Sequence, residues 1–295
     1  MRVGVVVLPE WPWKQAATVW RQVEELGFDH AWTYDHLSWR TLRDGTWYGT
    51  VTTLSAAAVT TSRIRLGTLV ASPNYRHPVP FSREVMSLDD LSGGRFTLGL
   101  GAGTLAGYDN AILGGQPRTP RERTARYAEF VRLLDRLLTE PMTTDTTGEY
   151  YRAVEMPNHP GCVQRPRVPF ALAGSGPRGM RLAARYGQGW ITLGADAERP
   201  DALDPAGRVA AVREQVERLE AACAEAGRDP AELARYLLLE AAGERPLDDP
   251  ARFADLAGAY GEAGITDLVL HYPRAGEPYA GSVTALERLA ALRRG

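Results

Sequence analysis

The sequence predicts an α/β protein with a parallel sheet wrapped by helices, on three observations. Residues 62–103, SRIRLGTLVASPNYRHPVPFSREVMSLDDLSGGRFTLGLGAG, hold two short apolar runs, IRLGTLV and FTLGLG, flanking a segment with helical spacing. Neither run alternates apolar with polar residues, which marks strands covered on both faces. The same strand-then-helix pairing recurs about eight times along the 295 residues, the count of a TIM (β/α)8 barrel. A doubly wound sheet uses the same alternation; the near-regular count favours the closed barrel.

The elements follow in order. Residues 3–8 form the first strand, and 15–26 a helix with Ala16, Val19, Val23 and Leu26 near one face, ended by Gly27. A second strand over 30–34 runs into an aromatic and charged loop, DHLSWRTLRDGTWYG, before a helix at 51–60. IRLGTLV is strand three. Pro78 sits in the first turn of the next helix, where its missing N–H costs nothing, and Val79, Val85, Met86 and Leu91 share a face until Gly93 and Gly94 end it. FTLGLG is strand four, followed by a Gly/Pro-rich loop with room for one short helical turn. A long helix spans 120–139. The irregular stretch at about 140–167 holds a hairpin and joins a helix to a strand, which in a barrel places it on the face away from the chemistry. PFALAG is strand five, 177–186 a helix, and GWITL strand six. An amphipathic helix at 207–226, a strand near 236–240, a helix at 250–263, the strand DLVLHY and a helix at 283–293 complete the chain. No repeat or linker divides it, so we read residues 1–295 as a single domain.

Composition narrows the function classes. The formal net charge is -2 and acids and bases are dispersed, so there is no electrostatic footprint for nucleic acid or an anionic membrane. The start, MRVGVVVLPEWPW, breaks at Pro9 and Glu10, so it reads as a core strand, and no apolar segment reaches the length of a membrane span. Cys162 and Cys223 lie far apart without CxxC spacing, which points to neither a disulfide framework nor a zinc site, and to a reduced, cytoplasmic setting. Lys14 is the one lysine among 34 basic residues, a compositional bias. The expected partner is a small molecule, with no metal.

In a barrel the chemistry gathers where strands run into helices. Asp35-His36 ends strand two: a histidine beside a carboxylate there orients a ring or exchanges a proton near neutral pH, the alternative being a satisfied core or surface histidine. His30, earlier on the strand, is structural. Gly99, Gly101 and Gly103 in GLGAG only partly imitate a dinucleotide fingerprint, because no clear helix or ribose acid follows; glycine at a rim still lets a flat ring or phosphate approach the backbone. Residues 173–179, AGSGPRG, lead through small residues into a helix, where free N–H groups, Ser175 and Arg178 suit a phosphate; an ordinary strand-to-helix turn is the other reading. Trp11, Trp13, Trp39, Trp47, Tyr48, Tyr75, Tyr108 and Tyr279 crowd the upper loops, where aromatics line a pocket or simply pack. His77 belongs to a helix entry.

With ELGFDHAWTYDHL, SRIRLGTLV, YRHP, LDDLSGGRFTLGLGAG and LAGSGPRGMRLAARYGQGW in this order, nearly the whole chain resembles the luciferase-like monooxygenase superfamily, and within it the branch that uses the deazaflavin coenzyme F420. The resemblance implies a bacterial luciferase-like barrel, a homodimer, and a cofactor at the carboxyl ends of the strands. It implies a cis bulge at Leu69-Val70 behind the ring, and ring contacts from Asp35, Ser72, Ala102 and Gly103. It further implies a phosphate site at Ser175, Gly176, Arg178 and Gly179, with His36, Asp35 and Trp39 at the reacting centre. Thr104 departs from the glutamate that sugar-phosphate dehydrogenases of this branch carry, which argues against that substrate. The implied activity is hydride transfer between F420 and a small organic molecule, most simply reduction of an activated C=C or C=N bond. Its alternatives are an FMN-dependent monooxygenase and a (deaza)flavin-binding protein without turnover.

Overall fold

The computed structural model describes residues 1–103, 108–143, 145–195, 199 and 202–293. Its strands are β1 (Arg2–Val6), β2 (His30–Thr33), β3 (Arg65–Thr68), β4 (Phe96–Leu100), the short β5 (Met142–Thr143), β6 (Thr146–Thr147), β7 (Arg152–Ala153) and β8 (Met156–Pro157), then β9 (Phe170–Ala173), β10 (Gly189–Thr192), β11 (Ala234–Leu238) and β12 (Asp267–His271). The helices are α1 (Trp13–Glu25), α2 (Thr50–Thr60), α3 (Pro78–Leu91), α4 (Tyr108–Ile112), α5 (Pro120–Thr139), α6 (Pro177–Tyr186), α7 (Pro205–Glu225), α8 (Phe253–Glu262) and α9 (Val283–Leu292). The strands β1, β2, β3, β4, β9, β10, β11 and β12 close into a barrel in that order, every pairing parallel. The expected (β/α)8 barrel is the fold.

Local chemistry fixes the helix starts. Thr119 and Glu122 form a reciprocal capping box ahead of Pro120, and the Asp204 carboxylate accepts the Gly207 N–H at 2.7 Å. The His77 ring accepts the Val79 N–H in front of Pro78, as a helix-entry residue does.

Alternation along each strand sorts side chains into two cores. Residues facing outward pack under the helices as one large cluster; Val6, Trp32, Leu69, Ala171, Ile191, Leu238 and Val269 fill the inside of the barrel. The interior carries rings as well as the usual branched aliphatics, and glycines make room for them: a Cβ on Gly4 would lie 1.8 Å from His30 Nδ1, and one on Gly67 2.4 Å from the Trp32 ring. Trp32 Nε1 donates to His30 Nδ1 at 2.7 Å, which leaves the His30 Nε2 proton for Asp267 at 3.1 Å. Arg2 adds two 2.8 Å bonds to the same carboxylate. Burial opposes ionisation of Asp267, but the bonds from His30 and Arg2 outweigh it and hold its pKa below the usual carboxylate value. Below this layer, at the amino ends of the strands, lies a cavity of about 500 Å³ walled by Arg2, Asp29, His30, Arg65, Tyr236 and Asp267.

Two expectations need correction. The strand placed near 236–240 is β11, Ala234–Leu238; Glu240 falls beyond it in a 3-10 turn, Glu240–Ala242. The stretch at 140–167 pairs β5 with β8 and β6 with β7 as a nested hairpin, but it does not stay at the amino-end face. Its tip climbs along α5, where the Glu129 carboxylate accepts the N–H groups of Glu149, Tyr150 and Tyr151 at 3.0, 3.0 and 2.7 Å. Tyr151 thereby meets the His77 ring, centroids 5.3 Å apart, at the carboxyl-end start of α3.

Candidate active site

The alternation of β2 continues past its end and decides what Asp35 and His36 do. Tyr34 and His36 face the barrel mouth, while Asp35 between them points outward beneath the helices. Asp35 is fully buried, and its carboxylate accepts the Tyr75 hydroxyl and two Arg76 bonds, from Nε at 3.1 Å and Nη2 at 2.7 Å. Arg76 also reaches Glu84 at 2.7 Å. Burial drives the Tyr75 phenol well above its usual range, helped by the Asp35 charge, while the Asp35 bonds outweigh burial and raise the Arg76 pKa. Both carboxylate oxygens are thus occupied from the outer layer, so Asp35 anchors the loop that starts α3 and does not meet a ring at the mouth. This departs from the role expected of it.

His36 is set differently. Its Nδ1 lies 2.7 Å from Asp109 Oδ2, and the other Asp109 oxygen accepts the Leu37 N–H at 2.7 Å. Trp47 Nε1 donates to the His36 carbonyl at 2.8 Å. A carboxylate on Nδ1 fixes the ring and turns Nε2 toward the mouth. Trp39, buried, lies over His36 with ring centroids 4.5 Å apart and 32° between planes. Asp109, on α4, had no spacing signal in the sequence.

Across the mouth the ends of β11 and β12 bring a second set. His271 Nδ1 lies 2.8 Å from Glu240 Oε2, and His271 Nε2 2.7 Å from the Tyr34 hydroxyl. The Tyr34 hydroxyl is 3.3 Å from that of Tyr279, whose ring stacks on His271 at 3.4 Å and 4°. Burial pushes both phenols above their usual range. Tyr34 is also edge-on to Trp39, centroids 5.0 Å apart, which joins the two sets. Only Tyr279 among these was singled out from sequence; inward parity from Val269 and Leu238 is the signal that points to His271 and Glu240.

Between the sets, the Leu69-Val70 peptide is cis, the geometry the resemblance implies. Ser72 is buried and its hydroxyl accepts the Asn74 N–H at 3.3 Å, closing a local turn. Ala102 and Gly103 follow β4 at the rim, half-buried. Gly103 has φ +78°, and a Cβ there would lie 2.3 Å from Asn74 Nδ2, a buried donor without a hydrogen-bond partner. The Arg123 Nε, Arg118 Nε and Tyr151 hydroxyl are likewise buried and unpartnered, while Arg123 Nη1 holds the Gly103 carbonyl at 2.9 Å. Ser175, Gly176 and Arg178 are exposed where α6 begins, Gly179 is half-buried, and Gly176 as N-cap offers no side chain to the first N–H groups. Thr104 lies outside the described residues. Orphaned donors and an open helix start, with nothing within 4 Å of a Cβ built on Gly176, together suit an anionic cofactor. Among the described residues no cluster of His, Cys, Asp or Glu could hold a metal ion, and no helix is long and apolar enough to cross a membrane.

Residues 1–252 match the luciferase-like monooxygenase family. The chain is 34% identical to 4-hydroxyprotoasukamycin monooxygenase of Streptomyces nodosus subsp. asukaensis, a match covering 63% of this chain but only 50% of that protein. It is 31% identical to the F420-dependent glucose-6-phosphate dehydrogenase of Kineococcus radiotolerans, over 85% of each chain. In three dimensions it superposes on an F420-dependent secondary alcohol dehydrogenase solved with an F420-acetone adduct, with TM-score 0.79, 17% identity, and 98% and 97% of the two chains covered; at that identity the likeness speaks for the fold.

Proposed function

The chain belongs to the luciferase-like monooxygenase family of oxidoreductases, and from that premise we propose that it transfers a hydride between coenzyme F420 and a small organic substrate, reducing an activated C=C or C=N bond. The observation that carries this reading is the mouth itself: His36, fixed by Asp109 and covered by Trp39, beside a rim of glycine and unpartnered donors. The 31% identity to an F420-dependent dehydrogenase over most of both chains supports the deazaflavin. The threonine at 104, in place of a glutamate, is why we favour a reductase over a sugar-phosphate dehydrogenase.

When bound, the deazaflavin supplies the hydride. The chain's own residues do the rest. Leu69 and Val70 back the ring, Ala102 and Gly103 border it where Gly103 packs against Asn74, and the Asn74 amide gains a partner. Ser175, Gly176, Arg178 and Gly179 hold the phosphate at the start of α6. Ser72 and Asp35 act one layer back, by holding the loop between β3 and α3. His36, with Nε2 turned to the mouth, orients the substrate or exchanges its proton, and Trp39 shapes the reacting face and excludes water.

A second reading, an FMN-dependent monooxygenase that uses oxygen, is favoured by the 34% identity to a monooxygenase. Tryptophan-quenching titrations with oxidised F420 and with FMN separate the two. Micromolar or tighter F420 binding with weak FMN binding is expected. The reverse preference, with oxygen uptake in the presence of reduced FMN, overturns the proposal.

A further inference from the structure

The hydrogen-bonded chain on the β11–β12 side has features that cofactor placement does not explain. It runs without a break from Glu240 through His271 and Tyr34 to Tyr279, at 2.8, 2.7 and 3.3 Å. Both of its ends wall a cleft of about 130 Å³, formed by Glu240, His271 and Tyr279 together with residues 243–248, 277, 278 and 280, which is large enough for water. The chain's Tyr279 end is a phenol beside Trp39. The Glu240 carboxylate is doubly committed, since Oε1 also accepts the His271 backbone N–H at 2.9 Å, so the ring cannot rotate away from its partner.

Tyr279 is held in place with similar care. It adopts φ +69°, a left-handed conformation unfavourable for an aromatic residue. The surrounding loop fixes it there: the Arg274 N–H donates to the Tyr279 carbonyl at 3.0 Å, and the Gly281 N–H donates to the Arg274 carbonyl at 3.0 Å. The Arg274 guanidinium binds the Pro278 carbonyl at 2.9 Å and Glu10 at 2.8 Å. An uncommon backbone state secured from several sides is the signature of a side chain that must stay where it is.

We propose that the Tyr279 hydroxyl exchanges the proton that accompanies hydride transfer, and that Tyr34, His271 and Glu240 are positioning residues that orient this hydroxyl and hold a proton in reserve for it. The proposal rests on the hydride-transfer reading above. In the reducing direction, the π bond of the substrate breaks as one atom gains a hydride, with its two electrons, from the reduced deazaflavin, which is oxidised. The other atom takes the Tyr279 proton. The Tyr279 oxygen recovers a proton from Tyr34, and Tyr34 from Nε2 of a His271 imidazolium, leaving neutral imidazole with its Nδ1 proton on Glu240. After turnover, water beside Tyr279, which also walls the cavity, returns a proton through Tyr279 and Tyr34 to His271 Nε2, and the proton released on oxidation of the deazaflavin goes to solvent, so no net proton is consumed. The charged and titratable groups facing the chain are His36 across Tyr34, Arg40 beside both phenols, and Glu244, Arg245, Asp248 and Glu277 around the cavity.

The test uses the full-length protein with Tyr279→Phe, Tyr34→Phe and Glu240→Gln. F420 affinity, read by quenching, is expected to stay within about threefold in all three. With reduced F420 and cyclohex-2-enone as acceptor, Tyr279→Phe is expected to lower kcat about 100-fold or more with little change in KM, and Glu240→Gln to alter the pH profile. A Tyr279→Phe enzyme with kcat within threefold of wild type overturns the proposal. A readout on the free protein, labelled with 15N-histidine, decides the matter independently of substrate. The Nδ1 proton of His271 is expected to lose its hydrogen-bonded signature in Glu240→Gln, and the Nε2 resonance to move in Tyr34→Phe and, through Tyr34, in Tyr279→Phe. Indifference of Nε2 to both tyrosine variants overturns the connection. If wild type fails to bind F420, the hydride-transfer reading falls while the histidine spectra still report on the chain.

Discussion

Replacing Asp35 with asparagine separates the two roles this carboxylate could play. The side chain is fully buried and Arg76 is 14% exposed, so the pair is shielded from solvent and far stronger than a surface ion pair. Removing one partner of a buried pair costs about 3–5 kcal/mol, mainly because the remaining charge is left uncompensated. Here Arg76 keeps Glu84 at 2.7 Å, and asparagine still accepts from Tyr75, so the low end, about 3 kcal/mol, is expected. At about 2–4 °C per kcal/mol for large domains, thermal unfolding should start roughly 6–12 °C lower. Urea unfolding of Asp35→Asn against wild type gives the stability change, and quenching at a temperature where both are folded gives deazaflavin affinity. We expect the first to fall and the second to change by less than about threefold. A variant with wild-type stability and no cofactor binding would refute the reasoning, and would return Asp35 to the ring.

Four further predictions follow the same logic. His36→Ala should abolish turnover while leaving cofactor affinity nearly unchanged, and Asp109→Asn should reproduce part of that loss, about 10- to 100-fold in kcat, by releasing the ring; steady-state kinetics with parallel binding titrations check both. Arg178→Ala should weaken F420 binding before it affects kcat, with a shallower salt dependence, measured by quenching across ionic strength. Asp267 has a folded-state pKa below its unfolded value, so its contribution is full above about pH 4 and is lost as pH falls through the folded value; Asp267→Asn should be less stable at pH 7 and lose less on acidification, in urea midpoints taken from pH 7 to pH 2.

The barrel was legible because each strand is a short apolar run and several helices carry their own start signal, as at Pro78, Pro120 and Pro177. The rim segments were legible for the same reason, since strand ends are easy to locate. Side-chain direction was harder. Asp35 and His36 are adjacent, and only the parity of β2 reveals that one turns to the helices and the other to the mouth. Asp109 was missed because its partner lies 73 residues away, and spacing in sequence carries no trace of such a meeting; Glu240 was missed because its signal is the parity of β11 and not a motif. The hairpin tip was misplaced because topology locates where the insertion begins and ends, whereas Glu129 determines where it travels.

The rings of His30 and Trp32, seated against Gly4 and Gly67, act as a bulkhead across the barrel. On the amino-end side they wall the open space of about 500 Å³, and the mouth lies on the other side. That lower space is lined by Arg2, Asp29, Arg65 and Asp267, so apolar volume added there would desolvate charged groups, and its surface is held by the same ion pairs that stabilise the barrel floor.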